Sequence, residues 1–229
     1  PALVYLPCQE LPGHEDTLRR WAQAYPDIGF GVVLPRVVWD RELPRLRREL
    51  EAARQAGVTQ ALLGHIGQLP LARSFGLTPR GDFGLGLTND ETAAELARLG
   101  FASATASFES RLAQIRDLSK PLDLELLVYG RLPLMLMEHC ILRNRGQGCH
   151  CQDKPQSLGD RKGEHFPVEP AWSCRNELFN AKPLWLADKT DWRTAGAAYA
   201  RLAFLRECPG ECARVFRAYR EGAGEPPRA

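Results

Sequence analysis

The chain has 229 residues, 44% of them hydrophobic, and its 30 Lys and Arg against 28 Asp and Glu leave a formal net charge of +2. That is enough chain for a sizeable core, and too little charge excess for a strong electrostatic hold on nucleic acid, although a local basic surface stays open. The longest apolar runs, "LELLVYG" (124–130) and "LPLMLM" (132–137), are far too short to span a bilayer, and no signal-peptide pattern opens the chain, so the expectation is a cytoplasmic protein without a membrane anchor.

Pro1 runs straight into the strand-like "ALVYLP" (2–7), which reads as a piece of a longer chain whose remaining N-terminal domain would be a partner. The next segment places Leu18, Trp21, Ala22 and Tyr25 at i, i+3, i+4 and i+7, one face of a helix. "FGVVLP" (30–35) then precedes a second helix with Leu43, Leu46, Leu50 and Ala53 on one stripe. "TQALLGH" (59–65) leads into a short helix near 69–75, and "RGDFGLGL" (80–87) into a helix opened by "TNDE", where Thr88 and Glu91 fit a capping box.

"FASATASF" (101–108), "LDLELLVYG" (122–130), "PLWLAD" (183–188) and "YARLAFL" (199–205) are further strand candidates, and Cys212, Val215, Phe216 and Tyr219 share a face of a last helix, 210–220. About eight βα-like steps of this kind predict an α/β fold with a parallel sheet, closing as a (β/α)8 barrel of the triosephosphate isomerase type, complete or distorted. The expectation is one barrel-like domain over 1–229. The break in rhythm is 138–178, which reads as a cysteine-rich loop inserted after the sixth strand, and loops that long inside a domain are usually functional or disordered.

That loop holds Cys140, Cys149, Cys151 and Cys174 in a C-x8-C-x-C-x22-C pattern. Four thiolates complete a tetrahedral zinc site or the corners of an iron–sulfur cluster, and His139, His150 or His165 can replace one of them. The alternative is ordinary free thiols, or one pair able to oxidise. Of the other three cysteines, Cys208 and Cys212 read as structural, and Cys8, at the end of the first strand, as a reserve ligand.

In a barrel, side chains at the C-terminal ends of the strands converge on one mouth. That rule selects Asp82, Glu109, Tyr129 and Arg131 as catalytic candidates, and Arg36, His65, Arg80 and Asp188 as substrate-binding ones. The carboxylates suit acid–base work or a cation, and the arginines suit a carboxylate or phosphate clamp. "GDFGLG" (81–86) lacks the ending of a phosphate loop, and no G-x-S-x-G or H-E-x-x-H is present, so a serine or zinc protease of familiar type is not supported.

"RGDFGLGLTN" (80–89), "SFES" (107–110), "ELLVYGRLPLM" (125–135), "DRKGEHFPV" (160–168) and "CRNELFNAKPL" (174–184) together resemble the U32 family of collagenase-like peptidases of unknown mechanism, in that family's order. The resemblance covers most of the chain and makes it similar to the C-terminal part of a long member. The family commonly has a cysteine soon after the glycine that stands here as Gly130, whereas Leu132, Pro133 and Leu134 follow it in this chain.

The resemblance implies either peptidase activity on collagen-like proteins or, as in bacterial relatives, oxygen-independent hydroxylation of tRNA, ribosomal RNA or ubiquinone precursors with a cysteine-held [4Fe–4S] cluster. A four-thiolate site is coordinatively closed and so ill suited to peptide hydrolysis, whereas a cluster can pass electrons, which favours the redox reading with Cys140, Cys149, Cys151 and Cys174 as cluster ligands. Zinc is the alternative metal, and a non-catalytic scaffold or substrate-binding half is the alternative role. RNA, a protein or a small molecule remain open as substrates.

Overall fold

The computed structural model describes residues 1–143, 155–189, 191–222 and 224. They belong to two compact units, Pro1–Leu126 with Ala195–Tyr199, and Leu127–Thr194 with Ala200–Ala229.

The first unit is regular α/β. Its chain runs β1 (Leu3–Pro7), α1 (Glu15–Ala24), β2 (Gly29–Val33), α2 (Leu43–Gln55), β3 (Gln60–Leu63), α3 (Leu69–Ser74), β4 (Thr78–Gly81), α4 (Asp90–Arg98), β5 (Ser103–Thr105), α5 (Leu112–Asp117) and into β6 (Asp123–Gly130). The strands pair in chain order and all in parallel. Such strands are covered on both faces, which is why "ALL" in β3 and "LELLVYG" in β6 read as nearly unbroken apolar runs.

This sheet curls. In a flat sheet, strands five places apart lie about 24 Å from each other, yet Tyr5 Oη on β1 donates to Glu125 Oε1 on β6 at 2.8 Å. Only curvature of the barrel kind brings the inward faces of the first and sixth strands within reach of two side chains.

The second unit follows other rules. β7 (Pro133–Met137), β8 (Gln156–Gly159), β9 (His165–Ala171) and β10 (Arg175–Phe179) form an antiparallel sheet in the order β7-β10-β9-β8. The end of β6 belongs here too, where β11 (Leu184–Trp185) pairs with it antiparallel. β12 (Tyr199–Leu202) also pairs with β6, and α6 (Pro209–Glu221) ends the described helices.

Four expectations change. Among the described residues the parallel alternation stops after six strands, so the barrel pattern is partial rather than eightfold. The segment 138–178, read from sequence as loop, carries β8, β9 and nearly all of β10; prolines in β9 and the half-exposed Glu169 and Glu177 hide their period. The cap of α4 is Asn89, whose Oδ1 accepts from Thr92 N at 2.9 Å, one position beyond Thr88. On α1, Leu18 is buried but Trp21 and Tyr25 are 50% and 56% exposed. On α2, Leu46, Leu50 and Ala53 are buried as the stripe predicts. Among the described residues, no helix is long and apolar enough to cross a membrane.

Candidate functional site

Four of the predicted residues of the first unit stand where parallel strands end. Arg36 follows β2, His65 follows β3, Asp82 follows β4 and Glu109 lies beyond β5. Asp82 is buried: its N–H donates to Leu63 O at 2.8 Å, and its Oδ1 accepts from Phe83 N at 2.8 Å, capping the turn Phe83–Leu85. The Arg36 guanidinium lies over the Phe83 ring at 5.4 Å, and Phe83 packs on Phe108 at 5.1 Å between ring centres. His65 is exposed, with Nδ1 accepting from Gly67 N at 3.0 Å. Glu109 is exposed, and its backbone N–H donates to Ser107 Oγ at 3.3 Å. The strand ends thus bring two acids, an imidazole and a guanidinium to one end of the sheet.

Arg80 belongs to a different layer. It is 8% exposed, inside the curl, with Nη1 donating to Ser103 Oγ at 2.8 Å and to Glu125 Oε1 at 3.2 Å, and Nε to Gln60 Oε1. Its guanidinium lies 4.9 Å from the centre of the Tyr199 ring. Burial alone would lower the Arg80 pKa, but hydrogen bonding and charge from Tyr199, Tyr5 and Glu125 hold it above the usual arginine value. Gln60, Ser103, Tyr5, Tyr199 and Glu125 were missed from sequence as partners of one network. Its only sequence trace is an acid, Glu125, inside the most apolar strand.

Tyr129, Arg131 and Asp188 lie in the second unit. Tyr129 is fully buried, and its hydroxyl donates to Glu207 Oε1 at 2.8 Å. Burial, then the Glu207 carboxylate, push its phenol well above the ordinary range, so at neutral pH it is a donor and not a base. Arg131 Nη1 donates to the backbone oxygens of Asn180, at 3.1 Å, and Ala181, which ties the start of β7 to the end of β10. Asp188 is exposed and paired with Lys189 at 3.2 Å.

The metal candidates sit at one end of the antiparallel sheet. In the β7–β10 ladder Met137 opposes Asn176 and Leu136 opposes Glu177, so the chain that continues past Met137 to Cys140 and the chain that arrives from Cys174 leave the same end. Cys140 Sγ accepts the Arg143 N–H at 3.4 Å; Cys174 is exposed, with a left-handed φ of 62°. Cys149 and Cys151, with His150, lie outside the described residues. His165 begins β9 while Ala171, at its far end, pairs with Arg175 beside Cys174; six residues of strand, about 20 Å, separate them, so His165 stands at the other end of β9 from Cys174. Among the described residues, no group of three His, Cys, Asp or Glu side chains is gathered for a metal ion.

Cys8 is buried, and burial followed by hydrogen bonding and charge from Glu49 pushes its thiol far above the ordinary range. A thiol held protonated in this way is a poor nucleophile, since that role needs the thiolate.

No protein-family model and no curated protein matches the chain. Among solved structures it is similar to a U32 peptidase, with 17% identity and a TM-score of 0.43 over 57% of this chain and 62% of that one. It is also similar to a family GH18 chitinase from Cycas revoluta in complex with allosamidin, with 11% identity and a TM-score of 0.45 over 97% of this chain and 93% of the chitinase. The chain spans less than two thirds of the length of that U32 peptidase.

Proposed function

We propose that this chain is a U32-type segment in which Cys140, Cys149, Cys151 and Cys174 hold an iron–sulfur cluster, serving a cytoplasmic, oxygen-independent hydroxylation of RNA or of a quinone precursor. The observation that carries the reading is the convergence of Cys140 and Cys174, far apart in sequence, on one end of the β7–β10 ladder. The donor set fits the group: thiolates are the usual holders of such clusters, and the amide of Arg143 already points a hydrogen bond at the Cys140 sulfur.

A cluster bound there supplies one-electron transfer. The protein's part is to hold thiolates deprotonated and in place. The strand ends of the first unit would bind substrate, with Asp82 and Glu109 as proton carriers and Arg36 and His65 as contacts to an anionic or polar group.

The test is purification without oxygen, followed by iron, sulfide and zinc analysis and a visible spectrum, on the wild type and on Cys140→Ala. Iron and sulfide at near-stoichiometric ratio in the wild type, lost in the variant, are expected. Zinc alone would shift the reading to a structural or hydrolytic metal and so toward the peptidase role. A folded protein holding neither metal would remove the cluster from the account.

A further inference from the structure

The end of the β7–β10 ladder is more firmly built than a surface turn requires. Arg175 is 2% exposed, and Glu138 grips it with both oxygens, Nε to Oε2 at 2.5 Å and Nη2 to Oε1 at 3.1 Å. Its third nitrogen, Nη1, donates to Trp172 O at 3.3 Å. A planar fork met by a carboxylate in this way fixes direction as well as distance. Asn176 is also buried, with Oδ1 accepting from Ile141 N at 2.8 Å and Nδ2 donating to Arg175 O at 3.2 Å.

These ties bracket two cysteines. Glu138 and Ile141 stand on either side of Cys140, while Trp172 and Arg175 stand on either side of Cys174. Between the latter two, Ser173 and Cys174 adopt left-handed φ values of 57° and 62° in succession. Side chains other than glycine rarely enter that region, and a strained pair persists only where its surroundings over-determine it. The fork on Arg175 and the carbonyl of Trp172 are those surroundings.

Resting on the cluster reading above, we infer that Glu138, Arg175 and Asn176 are positioning residues, which hold Cys140 and Cys174 as one preformed half of a thiolate site for a soft or borderline metal centre. Their hydrogen bonds go to one another and to the main chain of Ile141 and Trp172, residues that flank the two cysteines. Partners of that kind, when removed, typically weaken metal binding by about 10- to 100-fold.

The experiment titrates the metal-free, reduced full chain with Co²⁺ under anaerobic conditions and reads the sulfur-to-cobalt charge-transfer band and the ligand-field bands. The variants are Glu138→Gln, Asn176→Ala and Arg175→Lys, with Cys174→Ser as the loss of a ligand; melting curves of the metal-free proteins report folding. Glu138→Gln and Asn176→Ala are expected to weaken Co²⁺ binding by about 10- to 100-fold and to shift the ligand-field bands, while the metal-free variants melt at a lower temperature but still cooperatively and above the temperature of the titration. Arg175→Lys, which keeps charge but loses the fork, is expected to fall between them and the wild type. If Asn176→Ala does not fold, Glu138→Gln decides, because its side chain is half in water. Wild-type affinity and band positions in Glu138→Gln would overturn the inference while leaving the cluster reading intact. A wild type that shows no thiolate–cobalt band would overturn the inference, and iron and sulfide analysis of the anaerobic wild type decides the cluster reading separately.

Discussion

The two units bury polar atoms in opposite ways. At the centre of the first, one carboxylate oxygen, Glu125 Oε1, accepts from Tyr5 Oη at 2.8 Å, Ser103 Oγ at 2.5 Å and Arg80 Nη1 at 3.2 Å. At the centre of the second, Tyr129 packs edge-on to Trp185 at 6.0 Å and against Phe204 at 5.4 Å, while Tyr219 packs on Trp185 at 5.5 Å. Each phenol there finds a separate acceptor, Glu207 for Tyr129 and Val128 O for Tyr219. A shared oxygen makes the first centre all-or-none, because three donors from β1, β4 and β5 are satisfied only at one curvature of the sheet. Separate acceptors make the second centre divisible, and its rings keep their packing when one hydroxyl is lost.

The sharpest way to break that contrast is Glu125→Ala. It takes the shared acceptor from Tyr5, Ser103 and Arg80 and leaves the buried guanidinium, still bonded to Ser103 and Gln60, without its carboxylate, and is expected to cost about 3–5 kcal/mol. Urea unfolding followed by circular dichroism measures it. Glu125→Gln, which still offers an oxygen, should recover part of the loss. A cost under about 1 kcal/mol for Glu125→Ala would mean that the network does not set the curvature of the first unit.

Next in size is Gly130→Ala, at the end of the same strand. Gly130 has φ of +128°, and a Cβ there would stand 2.3 Å from Ala203 O and 2.9 Å from Ala203 Cβ. Backbone strain and a clash with main-chain atoms together predict a loss on the order of 3 kcal/mol. If the loss instead stays below about 1 kcal/mol, the close approach between the end of β6 and Ala203 is not maintained in solution.

What sequence made legible follows the same divide. The first unit could be read because each helix and strand carries its own period: the α2 stripe of Leu46, Leu50 and Ala53, and the apolar runs of β3 and β6. Its polar centre could not be read, since Tyr5, Arg80, Ser103 and Glu125 meet only through strand register and curl, which no local window contains. The second unit was obscure even locally. β9 reads "HFPVEPA" and β10 "RNELF", with two prolines, with Glu169 and Glu177 half-exposed and with Arg175 and Asn176 buried, so a real antiparallel sheet looked like loop. Glu138, Arg175 and Asn176 were illegible for the same reason: their roles depend on the β7–β10 pairing. The four cysteines were legible as a group because spacing and residue type alone mark them, though only Cys140 and Cys174 have described positions.

Tyr219→Phe tests the second centre. The Tyr219 hydroxyl donates to Val128 O at 2.5 Å and accepts from Leu186 N at 2.7 Å, so its removal leaves two main-chain groups short and is expected to cost about 2 kcal/mol. The pH dependence has a definite sign. Burial pushes this phenol up to about 12 from its ordinary value of 10, so the folded state keeps the proton more tightly than the unfolded chain. The stability it contributes is complete below pH 10 and is lost as pH rises toward 12. The wild type should therefore lose stability more steeply over that window than Tyr219→Phe does. Equal slopes in thermal melts from pH 9 to 12 would contradict the buried phenol.

The smallest effect expected is that of Tyr129→Phe. Glu207 loses one donor but still accepts from Leu205 N at 2.6 Å and Arg206 N at 3.0 Å through Oε2, and the ring contacts remain. A cost of about 1 kcal/mol follows, measured by the same urea unfolding. The variant also separates two roles for this residue. Its phenol is raised in the same direction as that of Tyr219, by burial first and Glu207 next, so its proton is not available to a reaction at neutral pH. If Tyr129 only packs and donates, the variant keeps its metal content and whatever turnover the wild type shows, at slightly lower stability. If turnover vanishes while stability falls by only about 1 kcal/mol, the hydroxyl acts as a hydrogen-bond donor to a reacting group, and the second centre is chemical rather than structural.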